Sequence, residues 1–268
     1  MVEALRLQVE PAKTILSANS LSVHAGSRPL LRDIDLSIHQ GEIFGIIGPS
    51  GAGKSTLLKV FNRLVDLESP PLRVTGVVAL GGTDLYAPDI DTDEVRRRVG
   101  TLFQQPVIFP KSIRANALFG IRHLKRMSRA EQEQRLEEAL LSAALWNEVK
   151  DRLEEPATIL SVGQQQRLCL ARALAIAPQV LLMDEPTSSL DPRSTEEIEA
   201  LILTLRESLT VVLVTHDLDQ AQRVAGVVAC VCLRDGVGEV IETACCGDIF
   251  SQPRCAETEQ YLSRRLEP

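Results

Sequence analysis

Gly48-Pro49-Ser50-Gly51-Ala52-Gly53-Lys54-Ser55 follows the pattern G-x-x-x-x-G-K-[ST], and its residue types suit the holding of a triphosphate. The glycines let the backbone curl so that successive N–H groups face phosphate oxygens. Lys54 adds a positive charge toward the outer phosphates, and Ser55 offers a hydroxyl to Mg²⁺. An apolar run at 43–47 precedes the loop, and residues 56–64, opening on Thr56, carry helical spacing. The loop therefore falls at a strand-to-helix turn, where a helix N-terminus favours negative charge.

Two further runs have chemistry in them. Val180-Leu181-Leu182-Met183-Asp184-Glu185 is an apolar strand ending in two carboxylates, and open α/β sheets bind ligands at that end of their strands. Asp184 suits Mg²⁺ and Glu185 suits a water that attacks a phosphoryl group; a solvated acidic turn is the alternative for the pair taken alone. Leu160-Ser161-Val162-Gly163-Gln164 leads into a second helix and makes a second anion site at its start. Two such sites exceed what one nucleotide needs from a single subunit.

The elements that must position these residues read as follows. Residues 21–24 and 30–38 alternate apolar and polar positions as strands, and 76–80 and 99–103 read as further strands around a short helix at 93–98. Residues 112–153 are rich in Ala, Leu, Glu and Arg and make a mostly helical insert, including 129–145. Thereafter helix and strand alternate: 163–175, 180–183, 194–207, 211–215 and 218–224. Continuous apolar strands in βα alternation predict a mainly parallel sheet covered on both faces.

Composition narrows the partners. Lys and Arg total 29 against 36 Asp and Glu, a formal net charge of −7, so there is no general attraction to nucleic acid or to an anionic membrane surface. No apolar run reaches the roughly 18 residues of a membrane span, and no basic start followed by an apolar core marks a signal peptide, so a cytoplasmic chain is expected. Cys169, Cys230, Cys232, Cys245, Cys246 and Cys255 lack zinc-knuckle spacing and read as free thiols, with Cys230 and Cys232 on one face of a strand. His24, His39, His123 and His216 are too scattered for a metal cluster. The basic run Arg122, His123, Lys125, Arg126 and Arg129 reads as a solvated helix face or a contact for a membrane partner.

Taken together, these runs resemble the ATP-binding cassette (ABC) ATPases over about residues 15–252. The resemblance also takes in Gln104 in Leu102-Phe103-Gln104-Gln105-Pro106, Ser189-Leu190-Asp191, and His216 in Val214-Thr215-His216-Asp217. It implies one α/β ABC-type P-loop domain with a mainly parallel core, an antiparallel β subdomain, a helical subdomain at about 110–165 and a tail at 253–268. It implies that residues 48–56 bind ATP, that Ser55, Gln104 and Asp184 serve Mg²⁺, and that Glu185, His216 and Gln104 serve hydrolysis. Ser161, Val162, Gly163 and Gln164 would close over the ATP of an opposite subunit, and Asp191 would lie in the dimer-contact loop. His216, by itself a strand-end histidine, resembles the γ-phosphate sensor.

Local wording at 109–113, 116–120, 144–148 and 164–169 is similar to the phosphate-import ATP-binding subunit of that family. The implied assembly is a homodimer or a pair of similar ATPase subunits, with two transmembrane permease subunits and a solute-binding protein, at the cytoplasmic face of the plasma membrane. Alternatives are an importer for another small solute such as a polar amino acid, a soluble ABC ATPase acting on DNA or ribosomes, and a degenerate regulatory module. Two positions depart from the family pattern. Val162 stands where glycine is usual, and Ala25 stands where an aromatic commonly stacks on adenine, with His24 beside it as a substitute.

Overall fold

The computed structural model describes residues 13–123 and 127–263. The side chains of 122–126, which include most of the basic run noted above, lie outside what it describes. In chain order the strands are β1 (Thr14–Ala25), β2 (Arg28–His39), β3 (Ile43–Ile47), β4 (Arg73–Leu80), β5 (Thr83–Asp84), β6 (Val99–Leu102), β7 (Val180–Asp184), β8 (Thr210–Val214), β9 (Val227–Arg234) and β10 (Val237–Cys245). The α-helices are α1 (Lys54–Phe61), α2 (Thr92–Arg98), α3 (Ile113–Ala117), α4 (Arg129–Ser142), α5 (Trp146–Val149), α6 (Val162–Leu174), α7 (Pro192–Leu205), α8 (Leu218–Val224), α9 (Cys246–Ser251) and α10 (Ala256–Ser263).

The strands form one sheet in the order β5-β4-β1-β2-β10-β9-β3-β8-β7-β6. From β9 to β6 every neighbour is parallel. From β5 to β2 every neighbour is antiparallel. β10 joins the halves, antiparallel to β9 and parallel to β2 at Gly238 and Leu31.

Strand periodicity divides the core. Leu181, Met183, Val211 and Leu213 pack on one face with Leu168, Leu170, Ile198 and Ile202 of α6 and α7. Val180, Leu182, Val212 and Val214 face the other way, onto Leu57, Leu58 and Phe61 of α1. Successive side chains of a strand point to opposite faces, so a strand covered on both must be apolar throughout, and each such side chain contributes about 1.5–3 kcal/mol on burial.

Local chemistry sets where helices begin and end. Asp91, Ser112, Ser128, Ser161, Asp191 and Asp217 each accept a backbone N–H as N-cap. α1 stops at Phe61, short of the expected residue 64, because Asn62 turns its side chain to Leu64 N and Thr101 Oγ1 and Arg63 takes φ 61°. The described residues of 112–153 are mostly helical as expected but broken into pieces, with Asn116 as the pin. Buried, its Oδ1 accepts from Phe109 N at 3.0 Å while its Nδ2 donates to the carbonyls of Phe109 (3.1 Å), Lys111 (3.3 Å) and Ser112 (3.0 Å). The segment read as a tail carries α10, whose Thr258, Tyr261 and Leu262 meet β9 and β10 in the middle of the sheet.

Candidate nucleotide site

β3 ends at Ile47 and the chain turns at once, since Gly48 takes φ 144° and a Cβ there would overlap the Val231 carbonyl oxygen of β9. Gly51 and Gly53 take φ 81° and 94°, conformations side chains rarely adopt. The loop backs onto the antiparallel half, because a Cβ on Gly53 would stand 2.6 Å from Leu31 Cδ2 of β2. Ala52 is fully buried against this support. α1 starts without a side-chain cap, so its first N–H groups are left for an anion.

Lys54 is buried, and its Nζ donates to the carbonyls of Gly48 at 2.7 Å and Pro49 at 2.9 Å, lying inside the curl of the loop. Burial pushes its ammonium below the ordinary lysine value, while the carboxylates of Glu185 and Asp184 oppose that shift. Ser55 Oγ donates to Asp184 Oδ1 at 3.0 Å, joining the loop to the end of β7. Burial raises the Asp184 carboxyl above its ordinary value, assisted by Glu185, although Ser55 and Lys54 pull it down. Hard oxygen donors side by side, with a carboxylate short of positive charge, fit Mg²⁺.

Glu185 leaves β7 with φ 47°, uncommon for a residue with a Cβ and typical of strain held at working sites. Its N–H is tied to Val214 O at 2.9 Å. Oε2 receives Gln104 Nε2 at 3.3 Å and lies 3.1 Å from His216 Nδ1. Gln104 Nε2 also donates to Ser188 Oγ at 3.0 Å, and Ser188 Oγ donates back to Glu185 O at 3.1 Å. A cavity of about 580 Å³ opens here, lined by Glu185, Ser188 and His216 and running back to Glu199 and Arg223.

The structure thus brings together Lys54, Ser55, Gln104, Asp184, Glu185 and His216. The start of α6 is separate: among the described residues it shares no hydrogen bond or ion pair with the loop. Ser161 and Gln164 cap each other reciprocally, Ser161 Oγ accepting from Gln164 N at 3.3 Å and Gln164 Oε1 from Ser161 N at 3.0 Å. Val162 is half-exposed at the first helical position. Gly163 packs closely on α7, since a Cβ would meet Ser194 Oγ at 2.5 Å. Glu148 braces this end, accepting from Gln164 Nε2 at 2.6 Å and Arg167 Nη1 at 2.7 Å. Asp191 caps α7 through Ser194 N at 3.1 Å and Ser194 Oγ at 2.6 Å.

Ser188 took no part in the sequence reading of the site, and Gln166 entered it only within the 164–169 wording. Fully buried, Gln166 donates through Nε2 to Phe103 O at 3.0 Å and Pro186 O at 3.1 Å, tying α6 to the residues beside Gln104 and Glu185. It is the last of three consecutive glutamines and precedes Arg167, so its type gave no signal of its own.

A strand-loop-helix with a buried loop lysine, beside a strand ending in adjacent carboxylates, defines a P-loop nucleoside triphosphatase. Comparison with known proteins carries this further. The ABC transporter family (ABC_tran) matches residues 31–188, and the chain belongs to that family. It is similar to cbiO1 from Clostridium perfringens, described as part of the ABC transporter complex cbiONQ, at 26% identity and TM-score 0.77 over 95% of this chain and 96% of that one. A bacterial Atm1-family ABC exporter with ATP bound shares the fold at 22% identity and TM-score 0.77, over 100% of this chain and 45% of that one. The protein is an ABC transporter ATPase component that couples ATP use to transport. Among the described residues no helix is long and apolar enough to cross a membrane.

Proposed function

We propose that this chain is the ATP-hydrolysing subunit of an ABC importer for inorganic phosphate, peripheral on the cytoplasmic face of the plasma membrane. The observation that carries the hydrolytic part is the placement of Glu185 Oε2 between Gln104 and His216, beside the Ser55–Asp184 pair. In this reading residues 48–56 cradle the triphosphate, with the N–H groups of the curl and the Lys54 ammonium facing phosphate oxygens. Ser55, Asp184 and Gln104 would hold Mg²⁺, which would supply charge neutralisation to the phosphates. Glu185 orients the attacking water and takes its proton, while His216 fixes the Glu185 carboxylate and faces the transferred phosphoryl group.

The second half of the site comes from another subunit. Ser161, Val162, Gly163 and Gln164 lie away from the loop of their own chain, and a head-to-tail homodimer, or a pair with a similar subunit, brings them over the opposite ATP with Asp191 at the contact. The ATPase domain is taken as 15–252, with the helical subdomain at about 110–165 docking on two permease subunits served by a solute-binding protein, and no nucleic acid as partner.

The solute rests on the local wording of 109–113, 116–120, 144–148 and 164–169. Asn116, Glu148 and Gln164 of these stretches brace the helical subdomain that this reading docks on the permease subunits. Labelled phosphate uptake, in cells lacking their own high-affinity importer and supplied with this chain and its neighbouring membrane and binding subunits, tests it. Saturable uptake that vanishes with Glu185→Gln supports the assignment. Absent uptake with ATP turnover intact in the purified chain overturns phosphate and leaves the ATPase.

A further inference from the structure

We propose that Gln220 is a positioning residue for His216, holding the histidine loop against the Glu185 loop; this rests on the ATPase reading above. His216 is more than half exposed, and Glu185 is the acidic side chain beside it. Its placement therefore depends on the backbone of Thr215–Asp217. Thr215 N reaches Ile46 O at 3.3 Å, Thr215 Oγ1 accepts from Asp217 N at 3.0 Å, and Asp217 Oδ1 accepts from Gln220 N at 3.0 Å.

The side chain of Gln220 turns inward and is fully buried. Its Nε2 donates to Thr187 Oγ1 at 2.8 Å and to Glu199 Oε1 at 3.2 Å. Thr187 lies two residues beyond Glu185, and Glu199 lies on α7, the helix capped by Asp191. Arg223 clasps Glu199 with Nε at 2.8 Å and Nη2 at 2.7 Å, returning to α8. One residue thus joins the loop of the histidine, through its backbone N–H to Asp217, with the loop of the glutamate and the helix that begins at Asp191, through its side-chain amide. Thr187, Glu199 and Arg223 line the cavity that reaches Glu185 and His216.

The arrangement costs stability. Gln220 Oε1 is buried without a hydrogen-bond partner, and burying an unpaired acceptor is unfavourable. An apolar side chain of similar volume would avoid that cost but would take a donor from the buried Thr187 Oγ1 and Glu199 Oε1, so the residue is explained by what it joins rather than by packing. The amide does supply a directional link that an apolar residue cannot.

The test is steady-state ATP hydrolysis by the full chain carrying Gln220→Leu, alone and with His216→Ala. The expected result is a kcat about ten-fold lower with KM for ATP unchanged, a modest fall in melting temperature, and no further loss of kcat when the change is added to His216→Ala. Thr187→Val, which removes the acceptor from the other side, should show the same split and serves if Gln220→Leu fails to fold. An unchanged kcat in a folded variant, or a loss that multiplies with that of His216→Ala, overturns the inference alone. A wild-type chain without turnover overturns the ATPase reading with it.

Discussion

His216 Nδ1 and Gln104 Nε2 converge on the same oxygen of Glu185, at 3.1 and 3.3 Å. The three side chains come from the ends of different parallel strands or the loops just beyond them, so the sheet fixes their spacing. Glu185 itself sits in a left-handed conformation held by Val214 O. The carboxylate is oriented before any substrate arrives, which is how positioning lowers the barrier of a phosphoryl transfer.

Asp184 gives a pH dependence. Burial raises its carboxyl above the ordinary value, so the folded chain binds this proton more tightly than the unfolded chain. The stability it contributes is present in acid and is lost as pH rises from the ordinary aspartate value through the raised one. Asp184→Asn should remove that slope without lowering the nucleotide-free melting temperature at neutral pH, and should abolish Mg²⁺-dependent stabilisation by ATP. Parallel melting-temperature curves against pH for the two proteins would contradict the account.

Gly48 should be intolerant of any side chain. Its φ of 144° and the Val231 carbonyl leave no room for a Cβ. Gly48→Ala is expected to lose about 3 kcal/mol, or roughly 6–12 °C in Tm, by overpacking. Gly51→Ala meets nothing within 4 Å and should disturb the fold less, through its φ of 81° alone. Thermal melts of the pair decide this, and equal losses would count against the packing argument.

Val162 is half-exposed on the first turn of α6, and in the proposed dimer it would face the opposite nucleotide. Val162→Gly should lower the KM for ATP about five-fold, equivalent to about 1 kcal/mol of relieved crowding. Glycine in a helix costs up to about 1 kcal/mol, so Tm should fall slightly while activity improves. Unchanged kinetics would show that the side chain crowds nothing.

Ala25 closes β1 where an aromatic would offer a stacking face. Ala25→Tyr should tighten ATP about ten-fold, within the roughly 1–3 kcal/mol of a base–aromatic stack. Binding titrations with ATP and GTP check it, and no gain in affinity would remove adenine stacking from this position. A loss of ATP affinity in His24→Ala would instead place the stack on the histidine.

Much of this was legible in the sequence because period and punctuation agreed. The loop at 48–55 announces itself, and β3, β7 and β8 are continuous apolar runs, as strands buried on both faces must be. Other parts depend on tertiary contact. β1 begins at Thr14, ahead of the expected residue 21, because pairing with both β2 and β4 carries it through a polar stretch. β10 holds Gly238 and Glu242, which weaken a strand pattern. Gly238 lies against Ala52 of the loop, and Glu242 accepts the backbone N–H groups of Arg254 and Cys255. The roles of Gln166 and Gln220 are invisible to spacing, since a buried glutamine is explained only by what it reaches across the fold.

The central claim, that Glu185 drives hydrolysis at a site completed by a second copy or a similar subunit, is tested most directly by ATP turnover and sedimentation of the purified chain and its Glu185→Gln variant. The account predicts Mg²⁺-dependent turnover in the wild type, a loss of about 100-fold or more in the variant, and an ATP-dependent dimer that accumulates only when hydrolysis is blocked. Equal turnover in the two proteins, with the variant monomeric in saturating ATP, would contradict it.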